Sequence, residues 1–161
     1  MKMNKHLSKS ALRVNEMLIE KGLSCEVIEL SASTRTANEA ALALGCEVAQ
    51  IVKSILFCSQ SSQSVLILAS GSNRVNEKTI AKYLGEGIEK ADADFTRKVT
   101  GFAIGGVAPI GHLLKINHIL IDEDLLKHET LWAAAGTPHA VFSLPSTELQ
   151  KLTNGKVLCI K

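Results

Sequence analysis

Aromatic residues are scarce: four Phe, one Trp and one Tyr in 161 residues. The core of such a chain must be aliphatic, and a surface that stacks many exposed bases is excluded. Basic blocks are missing as well, and the formal charge is only +2. A protein that coats a long stretch of phosphate backbone carries such blocks, so this balance leaves room only for contact with a few phosphates. The four cysteines, Cys25, Cys46, Cys58 and Cys159, include no Cys-x-x-Cys pair. That argues against a disulfide framework and against a structural zinc site. No stretch approaches the length of a membrane span, and residues 1–22 lack the continuous apolar run of a secretory leader. The expected compartment is the cytoplasm. A length of 161 residues suits one domain, 1–161, with a real core.

Complete catalytic signatures are also absent. Gly101 to Gly106 has the glycine spacing of a phosphate-binding loop, but Val107 and Ala108 stand where Lys and Ser/Thr are required. His128-Glu129 begins a zinc-protease pattern that fails at Trp132, and no nucleophile elbow occurs. The five histidines, His6, His112, His118, His128 and His139, show no metal-ligand spacing. No metal and no cofactor is expected.

Two features that are present carry the chemical argument. Lys53 lies inside the apolar run Ile51-Val-Lys-Ser-Ile-Leu-Phe57, where strand alternation puts it on one face with Ile51, Ile55 and Phe57. An ammonium among isoleucines is costly unless an anion or a catalytic duty offsets it. The bland alternative is an edge-strand lysine that deters sheet-to-sheet pairing. The second feature is the glycine-dense run Gly101 to Gly111, whose backbone N–H groups can approach a ligand closely, or which forms two tight turns around Pro109. Cys58 falls on the strand face opposite Lys53, which argues against it as a nucleophile.

Periodicity predicts a helix from Ser10 to Lys21 and a strand from Cys25 to Leu30. Thr36-Ala-Asn-Glu39 has capping-box spacing and opens a second helix ending near Gly45. Residues 51–58 and 65–69 read as a hairpin with a polar loop. Asn76 caps a helix from Glu77 to Leu84, and Asp94 one from Phe95 to Val99. Further strands are expected at Leu114–Ile116, His118–Ile121, Leu131–Ala135, Ala140–Leu144 and Val157–Ile160, with a last helix capped by Ser146. This mixture lacks strict strand–helix alternation, so the expected class is α+β.

The order and spacing of several segments add what no single motif supplies. They are Thr34 to Ala41, Gln50 to Lys53, Gly71-Ser-Asn-Arg-Val-Asn76, Thr100-Gly101, Gly105 to Gly111, Ile121-Asp122 and Ala135-Gly136. In this series the chain resembles the YbaK/EbsC family of aminoacyl-tRNA deacylases, which includes the editing domain associated with prolyl-tRNA synthetase. The resemblance covers roughly residues 24–153. It implies one domain with a mixed, mostly antiparallel, curled sheet of about six to seven strands wrapped by helices. The implied activity is hydrolysis, in trans, of mischarged aminoacyl-tRNA, above all proline tRNA bearing Cys, Ala, Ser or Thr. The implied partners are the tRNA acceptor end and, as a candidate, prolyl-tRNA synthetase.

The family's lysine matches Lys53, and its glycine loop matches Gly105, Gly106, Pro109 and Gly111. Its later glycine matches Gly136. The resemblance makes Lys53, Gly105 and Gly106 the catalytic candidates. Thr34, Ala108, Pro109, Gly111, Gly136 and His139 become candidates for the substrate pocket. Ala108 replaces a frequent serine and Pro138-His139 replaces a small residue, so the amino acid removed stays open. Arg74, Lys78, Lys82, Arg97 and Lys98 are the candidate tRNA contacts. The attacking group would be water or a group of the substrate, since an aminoacyl ester is labile enough for positioning and charge stabilisation to suffice. Two rivals stand beside this reading: a non-catalytic module that holds aminoacyl-tRNA or a synthetase, and a small-molecule esterase or nucleotide-binding protein.

Overall fold

The computed structural model describes residues 7–161; His6 lies outside them. Its helices are α1 (Lys9–Glu20), α2 (Ala37–Leu44), α3 (Glu77–Leu84), α4 (Ala93–Thr100) and α5 (Ser146–Thr153). Its strands are β1 (Ile28–Glu29), β2 (Ile51–Ser59), β3 (Ser64–Ser70), β4 (Ile88–Lys90), β5 (His118–Asp122), β6 (Thr130–Ala134), β7 (Ala140–Pro145) and β8 (Lys156–Leu158). The expected α+β class and mixed sheet are what is found, with eight strands among the described residues.

The order across the sheet is β1-β7-β6-β2-β3-β5-β8, with β4 added to β2. The β2–β3 hairpin is the centre, antiparallel from Val52 opposite Ser70 to Cys58 opposite Ser64. Alternation sends Val52, Leu56, Leu66 and Leu68 to one face, where they pack with α1, α4 and α5. Phe57, Val65, Ile67 and Ala69 go to the other, against Ile80 of α3. Each fully buried side chain of this kind contributes about 1.5–3 kcal/mol by leaving water. Ala40 and Ala41 bring α2 onto Ile51.

Several local expectations shift. The strand expected over Cys25–Leu30 shrinks to Ile28–Glu29, because only those residues pair, with Val141 and Ala140. Asp92 rather than Asp94 caps α4, its side chain accepting the Phe95 N–H at 2.8 Å. Leu114–Ile116 is not a strand: the Leu113 and Leu114 amides donate to Thr100 and Val99 at the end of α4. Pro145 occupies the cap position of α5, with Ser146 as its first residue. The expected Val157–Ile160 strand is Lys156–Leu158.

The feature that makes a site is an interruption. On the edge of β2 away from β3, β6 pairs in parallel at Ile51 and Val52, and β4 pairs antiparallel from Phe57 to Ser59. Between them, residues 53–56 have a strand partner on one side only; the Ala91 N–H reaches the Leu56 carbonyl at 3.0 Å. The sheet opens there.

Candidate active site

A cavity of about 400 Å³ fills that opening. Ile51 to Leu56 form one wall, with Trp132, Ala133 and Ala134 of β6 on one flank and Lys90 and Ala91 on the other. Thr34 to Ala37, leading into α2, and Gly105 and Val107 of the glycine run complete it. Lys53 and Gly105 therefore line one cavity, although 52 positions separate them by number (105 minus 53). The lining carries three cations, Arg35, Lys53 and Lys90, and no carboxylate among the described residues.

Lys53 is partly buried and lines the cavity at the opening of the sheet, whose outer edges are β1 and β8. Its Nζ donates to the main-chain carbonyl of Asn73. An ammonium has three donors, so further N–H groups remain for a ligand. Burial pushes the Lys53 amine below the ordinary lysine value; Arg74 and Lys90 push the same way, and Asp122 pulls it back. Repulsion among cations with a cavity beside them favours an anion or a developing negative charge at that place.

The glycine run divides its labour. Gly105 has φ +95°, a conformation that favours glycine, and a Cβ there would stand 3.0 Å from Arg35 Cγ. At Gly106 a Cβ would meet the Thr137 backbone at 2.8 Å, so two loops touch main chain to main chain. The Gly106 N–H is committed to the Ala103 carbonyl at 3.0 Å. The amides of Gly105 and Val107 have no hydrogen-bond acceptor among the described residues, and both residues line the cavity.

Other candidates from the sequence take different places. Thr34 is buried and lines the cavity, its hydroxyl donating to the Pro138 carbonyl at 2.8 Å. Ala108 and Pro109 are buried behind the lining; the Ala108 carbonyl is bonded to the His112 ring at 2.8 Å. The Gly111 carbonyl accepts from Arg13 Nε at 3.0 Å. Gly136 packs against α1, where a Cβ would lie 2.9 Å from the Ser10 carbonyl oxygen. His139 is exposed, its Nδ1 hydrogen-bonded to the Ala32 carbonyl at 3.1 Å. Cys58 is not among the lining residues. Arg74 is exposed on the loop after β3. Lys78 and Lys82 are exposed on α3, and Arg97 and Lys98 on α4, helices that pack on opposite faces of the sheet.

Of the lining residues only Thr34, Lys53 and Gly105 were candidates from the sequence, and those it missed include Arg35, Lys90, Thr96 and Trp132. Arg35 precedes a capping box, a signal that concerns only the helix, and Lys90 lies on a strand of three residues. Trp132 was visible only as the break in a zinc motif. Among the described residues no group of His, Cys, Asp or Glu could hold a metal ion, and no helix is long and apolar enough to cross a membrane.

The sequence model of the aminoacyl-tRNA editing domain matches residues 31–152. The chain belongs to that family. A proline–tRNA ligase of Limosilactobacillus fermentum is 38% identical over 81 residues, which is 47% of this chain and 14% of the ligase. A Bacillus subtilis protein named "Uncharacterized protein YwhH" is 28% identical over 132 residues, 82% of this chain and 83% of that one. A crystal structure described as "a putative trans-editing enzyme for prolyl tRNA synthetase" matches with a TM-score of 0.90 at 44% identity, over 96% of this chain and 98% of that one. All the cavity-lining residues, from Thr34 to Val141, fall inside the editing-domain segment.

Proposed function

We propose that the protein is an aminoacyl-tRNA deacylase acting in trans. Its reaction is hydrolysis of the ester between a small non-cognate amino acid and the 3′-terminal ribose of tRNA, with proline tRNA carrying Cys, Ala, Ser or Thr as the substrate class. The observation that carries this reading is that Lys53, Gly105 and Val107 line one cavity whose lining holds no carboxylate, and that the Gly105 and Val107 amides have no acceptor among the described residues.

Attack of water on the ester carbonyl places a negative charge on the carbonyl oxygen; the bond to the ribose oxygen then breaks, and the proton released by the water ends on the ribose hydroxyl. Donors and cations aimed at that charge lower the barrier without forming a covalent bond. The Gly105 and Val107 amides serve as the donors, and Lys53 steadies the same charge or anchors the terminal phosphate and ribose. Arg35 and Lys90 receive neighbouring phosphates. The volume of about 400 Å³ suits a small aminoacyl group with its ribose. Editing of this kind is needed because one methylene is worth only about 1–3 kcal/mol to a synthetase pocket.

The test is to incubate the protein with proline tRNAs mischarged with each of the four amino acids and follow discharge. Lys53→Ala is expected to lower the rate about tenfold or more, equivalent to about 1.4 kcal/mol of barrier, in a protein that still folds. Binding of charged tRNA with no faster discharge would make the protein a carrier rather than an enzyme. Unchanged turnover in Lys53→Ala would remove Lys53 from the mechanism.

A further inference from the structure

Lys53 does not find its place unaided. Its ammonium rests on the Asn73 carbonyl, and no carboxylate forms an ion pair with it among the described residues. A carbonyl in a turn is only as fixed as the turn. The Asn73 turn is held from below: Asn73 Nδ2 donates to Asp122 Oδ2 and to Asp124 Oδ2, each at 2.8 Å.

Asp122 is the keystone of this arrangement. It ends β5, beside the end of β3, because Leu68 and Ile121 are in register. It is 1% exposed. Its Oδ2 accepts the Ser70 N–H at 3.0 Å as well as Asn73 Nδ2, and its Oδ1 accepts the Asp124 N–H at 2.9 Å. All three donors are neutral. A buried carboxylate held by neutral donors still costs several kcal/mol of lost hydration, yet both of its oxygens accept N–H groups here, which the single oxygen of an amide could not do. Asp124, by contrast, is partly exposed and paired with Lys127 and Lys161. Asp122, which forms no ion pair among the described residues, is the buried member of the two carboxylates that hold Asn73.

We propose that Asp122, acting through the side chain of Asn73, is the positioning residue that aims the Lys53 ammonium at the cavity. Its charge also has a direction. The charged groups facing Lys53 are Arg74 from the loop after β3, Lys90 from β4, Arg35 across the cavity, and Asp122 from the end of β5. Burial, Arg74 and Lys90 all favour loss of the lysine proton, and Asp122 opposes them. The kinetic half of the test below rests on the deacylase reading; the titration half does not.

Two variants of the full chain decide it, Asp122→Asn and Asn73→Ala, each checked for folding by thermal melting. Removing the Asp122 charge weakens the ammonium form, so the Lys53 titration midpoint, followed by NMR of labelled lysine side chains, falls below that of the wild type. The alkaline limb of the kcat profile moves to lower pH with it. In both variants kcat falls about tenfold while KM for charged tRNA stays within about twofold, the pattern of an interaction felt mainly in the transition state. Asn73→Ala keeps the carbonyl and the carboxylate, so its titration midpoint moves less than that of Asp122→Asn. If Asp122→Asn does not fold, the kcat and KM of Asn73→Ala decide alone.

An unmoved Lys53 midpoint in folded Asp122→Asn overturns the proposal. So does wild-type kcat in the variants of a protein whose Lys53→Ala form is inactive. If Lys53→Ala is itself fully active, the role of Lys53 in deacylation fails, and the titration still judges the positioning.

Discussion

β2 and β3 face each other along seven paired positions, both aliphatic, and they have opposite fates. Every residue of β3 is buried, and it pairs with β2 on one edge and β5 on the other from Val65 to Leu68. Its two serines are satisfied: Ser64 bonds Asn117, and Ser70 bonds Asp122 and Ala49. β2 loses its second partner at residues 53–56, and there it carries Lys53 and a buried Ser54 hydroxyl with no hydrogen-bond partner. An unsatisfied buried hydroxyl costs about 1–3 kcal/mol. The sheet places its partly buried lysine and its unpaired hydroxyl where the ladder is broken, and seals β3 between two partner strands.

Substitutions can break or sharpen that contrast. The largest effect is expected on the sealed strand: Leu68→Ala should cost about 2–5 kcal/mol in urea unfolding. If it cost no more than Lys53→Ala, β3 would not be the structural partner of the pair. Gly106→Val comes next. Its added side chain starts 2.8 Å from the Thr137 backbone, which cannot swing aside as a side chain can, so overpacking should cost about 1–3 kcal/mol. Discharge should be lost as well, since Gly105 and Val107 move with it. A normal melting temperature together with full turnover would refute this account of the loop. The smallest effect belongs to Ser54→Ala. Deleting a hydroxyl without a partner should shift stability by no more than about 1 kcal/mol, toward greater stability. A clear destabilisation on thermal melting would mean that Ser54 bonds an ordered water and that its hydroxyl is satisfied at the ladder break.

The hairpin was legible because period-two alternation is a local property, and it placed Lys53 on a face with Ile51, Ile55 and Phe57. The capping box at Thr36 and Glu39 was legible for the same reason, and both of its hydrogen bonds form. Elsewhere the local signal was ambiguous. Asp92 and Asp94 are both competent caps, and only the former has its side chain on the Phe95 amide. Leu114-Lys-Ile116 is apolar enough for a strand, yet Leu113 and Leu114 are exposed and their amides close the end of α4. β4 is three residues long, and its pairing with Phe57–Ser59 makes it a strand. In the glycine run, composition announced close approach of backbone without saying which glycine meets protein and which meets the cavity.

Composition, alternation and caps by themselves determined an aliphatic α+β domain, its central hairpin and a lysine that needed a reason to be buried. Tertiary structure decided the rest: the opening between β4 and β6, the arrival of Arg35 and Lys90, and the carboxylate beneath the Asn73 turn. The physical reason is range. A helix cap or a pleat is decided within about four residues, whereas a cavity exists only where chain segments far apart in number fail to close on one another.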